Sequence, residues 1–366
     1  MKVVQVLPAL DGGGVERGTL EIAKGLVAVG HESIVLSAGG TMVEQLEGEG
    51  SRHVTWSLGT KSPLTFRHVW ALRRWLQREK PDILHLRSRL PAWVCWLAWK
   101  GLAEHERPHL VTTVHGLYSV SRYSGIMCRG ERIIAVSGTV RDYIHKNYPE
   151  TDPKRVRVIY RGVDPEEFPY GYCPPAEWLA QWHRRYPQLQ NSKVLTLPGR
   201  LTRLKGHHDF IDLINRLRDT GLQVHGLIVG GEDPKRRGYA REIRERIVRE
   251  RLEGTILLTG ARQDIREVFA VSDLVLSLSN KPESFGRTVV EALTMGVPVI
   301  GYDHGGVGEV LGQLYPQGCV PMADAGALDQ AVRTSLDLGQ PRPHNDRFLL
   351  EDMIKQTLAC YQELTQ

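Results

Sequence analysis

The stretch Pro282–Ile300, PESFGRTVVEALTMGVPVI, reads as a turn, a helix and a strand. Ser284 is placed to cap the helix, Thr288 to Met295 carry apolar residues at the helical period, and Gly296 with Pro298 stops the helix before the β-branched run VPVI. Two glutamates mark the segment, Glu283 in the loop ahead of the helix and Glu291 inside it. Because the first projects from the turn, the pair is expected to bracket an anion with a polyol on one side, resting on the helix N-terminus. The bland alternative makes Glu291 a solvated helix residue and Glu283 a capping acid. Against it, VVEAL sets Glu291 among apolar neighbours, where an unpaired carboxylate is costly.

The same succession of helix and strand runs through the chain. The first half alternates KVVQVLP, ESIVLSA, DILHLRS, HLVTTVHG, RIIAVSG and RVRVIYRG with amphipathic segments, including a helix from about Glu16 to Val29. The second half restarts with KVLTLPGR, VHGLIVGG, TILLTGA, LVLSLS, VPVIGY and GCVPM. Such an order calls for parallel sheets with right-handed crossovers and helices on both faces, hence two doubly wound α/β domains. The proline- and aromatic-rich region within roughly 164–192 separates them. The expected domains are 1–170 and 171–346, with a C-terminal helix, 347–366, packing back onto the first.

The 366 residues include five cysteines, odd in number and without paired spacing. Neither a disulfide framework nor a zinc site is suggested, and a reducing cytoplasm is the expected compartment. No apolar run approaches the roughly 18 residues of a membrane span, and Pro8 and the glycines break the N-terminal segment too early for a signal peptide. The formal charge of +5 is modest, but basic residues cluster in RHVWALRRWLQREKPDILHLRSR beside WVCWLAWK. That combination invites an anionic lipid or a polyanionic substrate as well as nucleic acid. Trp93, Trp96 and Trp99 fall three apart, favouring a helix that buries an aromatic stripe over an exposed membrane anchor.

Ligands of open parallel sheets bind outside the carboxyl ends of the strands, where every candidate motif falls. After the first strand, Gly12, Gly13 and Gly14 lead into a helix and bring backbone N–H groups up to a phosphate or simply make a tight turn. Arg17 stands where a dinucleotide fingerprint needs its third glycine, and the second strand ends without the acidic residue that holds a ribose. A nicotinamide-dependent oxidoreductase is therefore disfavoured. In LPGRLTRLKGH, Arg200 and Lys205 sit on either side of a short loop before a helix, a pair suited to a leaving diphosphate. His115 follows a strand in VTTVHG, as a structural residue or as a hydrogen-bonding or proton-handling group.

Taken together, the glycine loop with Glu16, VHG, AVSGTVRDYI, VIYRGVD, GRLTRLKGH, ESFGRTVVEALTMGVPVI and GGVGEV resemble, in order, the motifs of the retaining glycosyltransferases of family four. The resemblance covers nearly the whole chain. It implies the GT-B architecture: two facing Rossmann-like domains with an interdomain cleft, the first an acceptor domain and the second a nucleotide-sugar donor domain. It further implies that Arg200 and Lys205 grip the donor diphosphate, that Glu291 binds the ribose, and that Glu283 with the Ser284, Phe285 and Gly286 backbone holds the sugar. Gly13, Gly14 and His115 would face them from the first domain. Arg161 stands where the family commonly has asparagine.

The reading is a metal-independent hexosyltransferase that retains anomeric configuration. Its donor would be a UDP- or GDP-sugar and its acceptor a glycan or lipid-linked hydroxyl, in lipopolysaccharide or surface polysaccharide assembly. It would act in the cytoplasm, with peripheral contact at the inner membrane surface and no nucleic acid. No Asp-x-Asp occurs, so neither metal nor other cofactor is expected. A nucleotide-sugar epimerase and a non-catalytic sugar-nucleotide-binding subunit are the alternatives on the same fold.

Overall fold

Runs of valine, isoleucine and leucine buried on both faces belong in the middle of parallel sheets covered by helices. The computed structural model describes residues 1–232, 237–337 and 342–366, and in it these runs form two such sheets. The first contains β1 (Lys2–Val6), β2 (Glu32–Ser37), β3 (Arg52–Thr55), β4 (Ile83–Leu86), β5 (His109–Val114), β6 (Arg132–Ala135) and β7 (Val156–Val158). Its order is β3-β2-β1-β4-β5-β6-β7, with every pairing parallel. The crossovers carry α1 (Gly14–Ala28), α2 (Val43–Gly48), α3 (His68–Glu79), α4 (Arg89–Lys100) and α5 (Gly138–Asn147).

After α6 (Ala176–Arg185) the pattern repeats with β8 (Lys193–Pro198), β9 (Val224–Val229), β10 (Ile256–Gly260), β11 (Leu274–Ser277), β12 (Val299–Tyr302) and β13 (Cys319–Val320). The order is β10-β9-β8-β11-β12-β13, again parallel. Its helices are α7 (His207–Asp219), α8 (Arg237–Arg249), α9 (Ile265–Ala270), α10 (Arg287–Thr294), α11 (Gly305–Leu314) and α12 (Ala325–Leu336); α13 (Leu350–Thr365) closes the chain. In each sheet the winding reverses once, between β1 and β4 and between β8 and β11, which opens a crevice at the carboxyl ends of those strands.

The chain divides into two compact units, Met1–Arg161 with Leu350–Gln366, and Gly162–Leu349. In the first, α13 covers one face of the sheet: Met353, Leu358, Cys360 and Tyr361 cluster with Val3, Ile22, Leu26, Ile83, Val111 and Ile134. Ile354 lies so close to Gly25 of α1 that an added Cβ would fall 2.5 Å from it.

Two local expectations need correction. The buried stripe of α4 is made of small residues, Ala92, Val94, Cys95 and Ala98, while Trp93, Trp96 and Trp99 are half-buried on its flanks. The indole rings pack against the edge of the core and lie under cations: Arg129 is 4.5 Å above Trp96 and Arg107 is 4.9 Å above Trp99. Nor does Ser284 cap α10. That helix begins at Arg287 behind Gly286, whose left-handed backbone (φ 93°) turns the chain directly into the helix with no side-chain cap.

Candidate active site

The second unit gathers its expected residues around the switch point of its sheet. Arg200 is exposed on the loop leaving β8, and that loop is tied to the end of β9 by hydrogen bonds from Gly199 N to Val229 O (2.8 Å) and Leu201 N to Gly231 O (3.0 Å). Gly206, which precedes α7, has φ 70°, and a Cβ there would lie 1.9 Å from Leu278 O at the end of β11. Only glycine lets the two loops touch so closely. Asn280 then binds both Leu204 O through its backbone N (2.9 Å) and Arg203 O through Nδ2 (2.8 Å).

That lacing puts Lys205 against Glu283. Lys205 Nζ donates to Glu283 Oε1 at 2.7 Å, and Ser279 Oγ donates to the same oxygen. Burial pushes the Glu283 carboxyl up, but the Lys205 ammonium, the hydrogen bonds from Lys205 and Ser279, and His304 outweigh it and hold the carboxyl below its usual range. His304 Nε2 donates to Ser279 O at 2.6 Å, steadying the turn from behind.

The N-termini of α10 and α11 converge on the same turn. Gly306 N donates to Glu283 O at 2.7 Å, and a Cβ on Gly306 would fall 2.4 Å from Phe285 Cα. This close approach explains Gly306 of GGVGEV. Phe285 is buried, its ring 5.5 Å from that of Phe348, so it anchors the loop and leaves only backbone for a ligand. Glu291 is 4% exposed. Its Oε1 accepts from Arg287 Nε at 3.1 Å, a partner one helical turn back that offsets the cost of burying the carboxylate.

The first unit carries the rest. Gly13 and Gly14 are exposed at the start of α1, which has no side-chain cap, leaving its first N–H groups to a ligand or solvent. His115 follows β5. Its Nδ1 accepts a hydrogen bond from Arg161 Nη2, its backbone N donates to Tyr118 Oη at 3.2 Å, and its buried Nε2 has no hydrogen-bond partner among the described residues. Arg87, directly after β4 and 2% exposed, donates from Nη1 to Gln5 Oε1 at 2.7 Å. Burial lowers the Arg87 pKa to about 10. His85, also fully enclosed, is bound to Tyr361 Oη (2.7 Å) and Thr113 Oγ1 (2.6 Å). Burial first, then Arg161, Arg87 and His85, push His115 well below the usual histidine range, so its ring is neutral at physiological pH.

Sequence reading missed Ser279, His304, Arg287 and Arg87. Ser279 and His304 each stand two residues past a strand of the second sheet, so strand-end position was the available signal. Among the described residues, no three His, Cys, Asp or Glu side chains gather as a metal ion would require.

An ammonium and a carboxylate thus sit side by side at a switch point where two helix N-termini converge, in the kind of strand-end crevice where open α/β sheets take ligands. The comparisons name the class. Residues 12–167 match "Glycosyltransferase Family 4" and residues 180–348 match "Glycosyl transferases group 1". The chain belongs to glycosyltransferase family 4, with the GT-B fold and a nucleotide-sugar donor. It is similar to a glycosyltransferase from Rickettsia africae ESF-5, at 29% identity and TM-score 0.86, covering 100% of this chain and 98% of that one. A structure of Anabaena HepE in complex with UDP and glucose shares the fold, at 21% identity and TM-score 0.83, covering 99% of this chain and 100% of that one. N-acetyl-alpha-D-glucosaminyl L-malate synthase of Bacillus anthracis is 27% identical over 274 residues, 71% of this chain and 67% of its own length.

Proposed function

We propose that this protein moves a hexose-type sugar from a UDP-sugar to a hydroxyl, with retention at the anomeric carbon and without a metal ion. The observation that carries the reading is the Lys205–Glu283 contact at the second switch point, because a diphosphate-binding cation and a sugar-binding acid must be neighbours when their ligands are joined by one bond. Arg200 and Lys205 are assigned to the diphosphate, Glu291 to the ribose, and Glu283 with the Ser284–Gly286 backbone to the transferred sugar. Charge growing on the leaving diphosphate is met by fixed cations and helix N-termini, the role a divalent ion fills elsewhere. The diphosphate itself takes the acceptor's proton on the same face, since no residue of these motifs is placed as a covalent nucleophile. The HepE complex supports UDP as the nucleotide.

On this reading the second unit is the donor domain and the first the acceptor domain, whose Gly13, Gly14 and His115 serve oxygens of the same reactants. The acceptor is assigned as a glycan or lipid-linked hydroxyl of bacterial surface polysaccharide or lipopolysaccharide assembly, reached at the cytoplasmic face of the inner membrane. Support comes from the segment leading into α3 and the first turns of that helix, where Leu64, Phe66 and Trp70 are exposed at 67%, 40% and 69% beside Arg67 and Arg74, the composition of a surface that rests on anionic lipid. No helix among the described residues is long and apolar enough to cross a membrane.

The test measures UDP release from UDP-sugars against a panel of hydroxyl acceptors, with and without excess chelator. Acceptor-dependent release that survives chelator is expected. Restoration by a divalent ion after loss to chelator would refute the metal-free assignment. Sugar isomerisation without an acceptor would refute the transferase itself.

A further inference from the structure

Arg161, with no role so far, touches His115 in a way that fixes the chemistry of that histidine. A guanidinium has hydrogen-bond donors and no acceptor. The Arg161 Nη2 contact with His115 Nδ1 therefore requires an unprotonated Nδ1, and a neutral ring must then carry its hydrogen on Nε2. That Nε2 is buried and unpartnered among the described residues, so the first unit presents an N–H whose hydrogen bond is unmade, a costly arrangement unless a ligand completes it. The guanidinium is itself held in place: Arg161 Nη1 lies 3.8 Å from Met353 Sδ of α13, and a Cβ on Gly18 of α1 would come within 2.5 Å of it. Glycine at this position of α1 leaves room for the guanidinium where it stands.

We propose that Arg161 is a positioning residue that locks His115 in the Nε2–H tautomer, making the histidine a permanent hydrogen-bond donor to a sugar or phosphate oxygen and barring it from acting as a base. The proposal rests on the assignment of His115 to the transfer reaction. The groups facing the ring point the same way. Arg161 after β7 and Arg87 after β4 are cationic, His85 on β4 is buried, and Tyr118 Oη meets the backbone; burial together with Arg161, Arg87 and His85 keeps the ring uncharged. With Nδ1 blocked by a donor and protonation suppressed, the one act left to the ring is donation from Nε2.

The experiment is nitrogen-15 NMR of the full ligand-free chain, labelled at histidine, with the His115 signal identified by its loss in His115→Gln. Native His115 is expected to show one protonated Nε2 and one unprotonated Nδ1, without titrating between pH 8 and 5.5. Arg161→Met, which removes the donor facing Nδ1, should let the ring populate the Nδ1-protonated tautomer, while Arg161→Lys, which keeps charge and donor, should restore the native pattern. A native His115 protonated at Nδ1, or titrating near 6.5, overturns the proposal, as does an Arg161→Met spectrum identical to native. If Arg161→Met does not fold, the native spectrum and Arg161→Lys decide. UDP release from UDP-glucose judges the underlying assignment separately. His115→Gln, which keeps an N–H but no base, should retain at least tenfold more activity than His115→Ala. Equal and native rates in both variants would remove His115 from the reaction whatever its tautomer.

Discussion

Glu283 and Lys205 form a pair that the donor must break or share. In the free protein the ammonium is spent on Glu283, so a diphosphate arriving at Lys205 competes with that carboxylate. Lys205→Ala should therefore harm UDP binding twice, by removing a cation and by leaving Glu283 unneutralised nearby. Glu283→Gln should leave bare UDP binding unchanged or tighter, while turnover with the full donor falls about a hundredfold, a barrier near 2.7 kcal/mol. The double variant should bind UDP better than the sum of the single losses. Calorimetric titration reads all three; strict additivity would mean the two side chains act independently. Glu291→Ala, by contrast, should weaken UDP and UDP-sugar alike, because both carry the ribose.

At the scale of elements, the site depends on how closely the turn 283–286 lies on the start of α11. Gly306→Ala would set a methyl 2.4 Å from Phe285 Cα, a clash with backbone that cannot rotate away. A loss of about 1–3 kcal/mol in stability is expected, with a further loss of donor-sugar turnover because the Glu283 turn is displaced. Thermal melting together with calorimetry checks this, and an unperturbed variant would show the loops to be looser than described. This closeness was not legible in the sequence. The strands, their alternation with helices and the strand-end loops were readable because apolar period and turn residues are local signals. Arg287 one helical turn before Glu291 and Ser279 four residues before Glu283 are local spacings that the sequence did offer, whereas Lys205 meeting Glu283 and Gly306 N meeting Glu283 O depend on which loops meet, which local pattern does not encode. For α4 the three-residue spacing of tryptophans was visible, but which side of the helix faces the sheet was not, and Ala92, Val94, Cys95 and Ala98 take the buried stripe.

Across the whole molecule, several histidines are buried neutral. His85 and His115 lie well below the usual range, chiefly through burial, and His207 is lowered to about 4. The unfolded chain takes up these protons once pH drops below about 6.5 while the folded protein does not, so stability falls with falling pH from that point. Each such histidine adds up to about 1.4 kcal/mol per pH unit until its folded value is reached. Glu283, held low, adds to the loss below its unfolded value of about 4.3. Urea midpoints at pH 7.5, 6 and 5 should fall in that order, and a flat profile would contradict the buried neutral histidines.

The placement of α13 with the first unit sets an order of events during synthesis. Residues 162–349 leave the ribosome as a contiguous stretch that can close its own core, whereas the sheet begun with Val3 must wait for Met353 to Tyr361 before its second face is covered. Until then Ile22, Leu26, Ile83 and Val111 have no lid, and the earliest strands made are among the last to be sheltered. A nascent chain stalled before residue 350 should accordingly recruit chaperones through the uncovered face of the first sheet, and deleting α13 should lower soluble yield far more than a substitution on its exposed side.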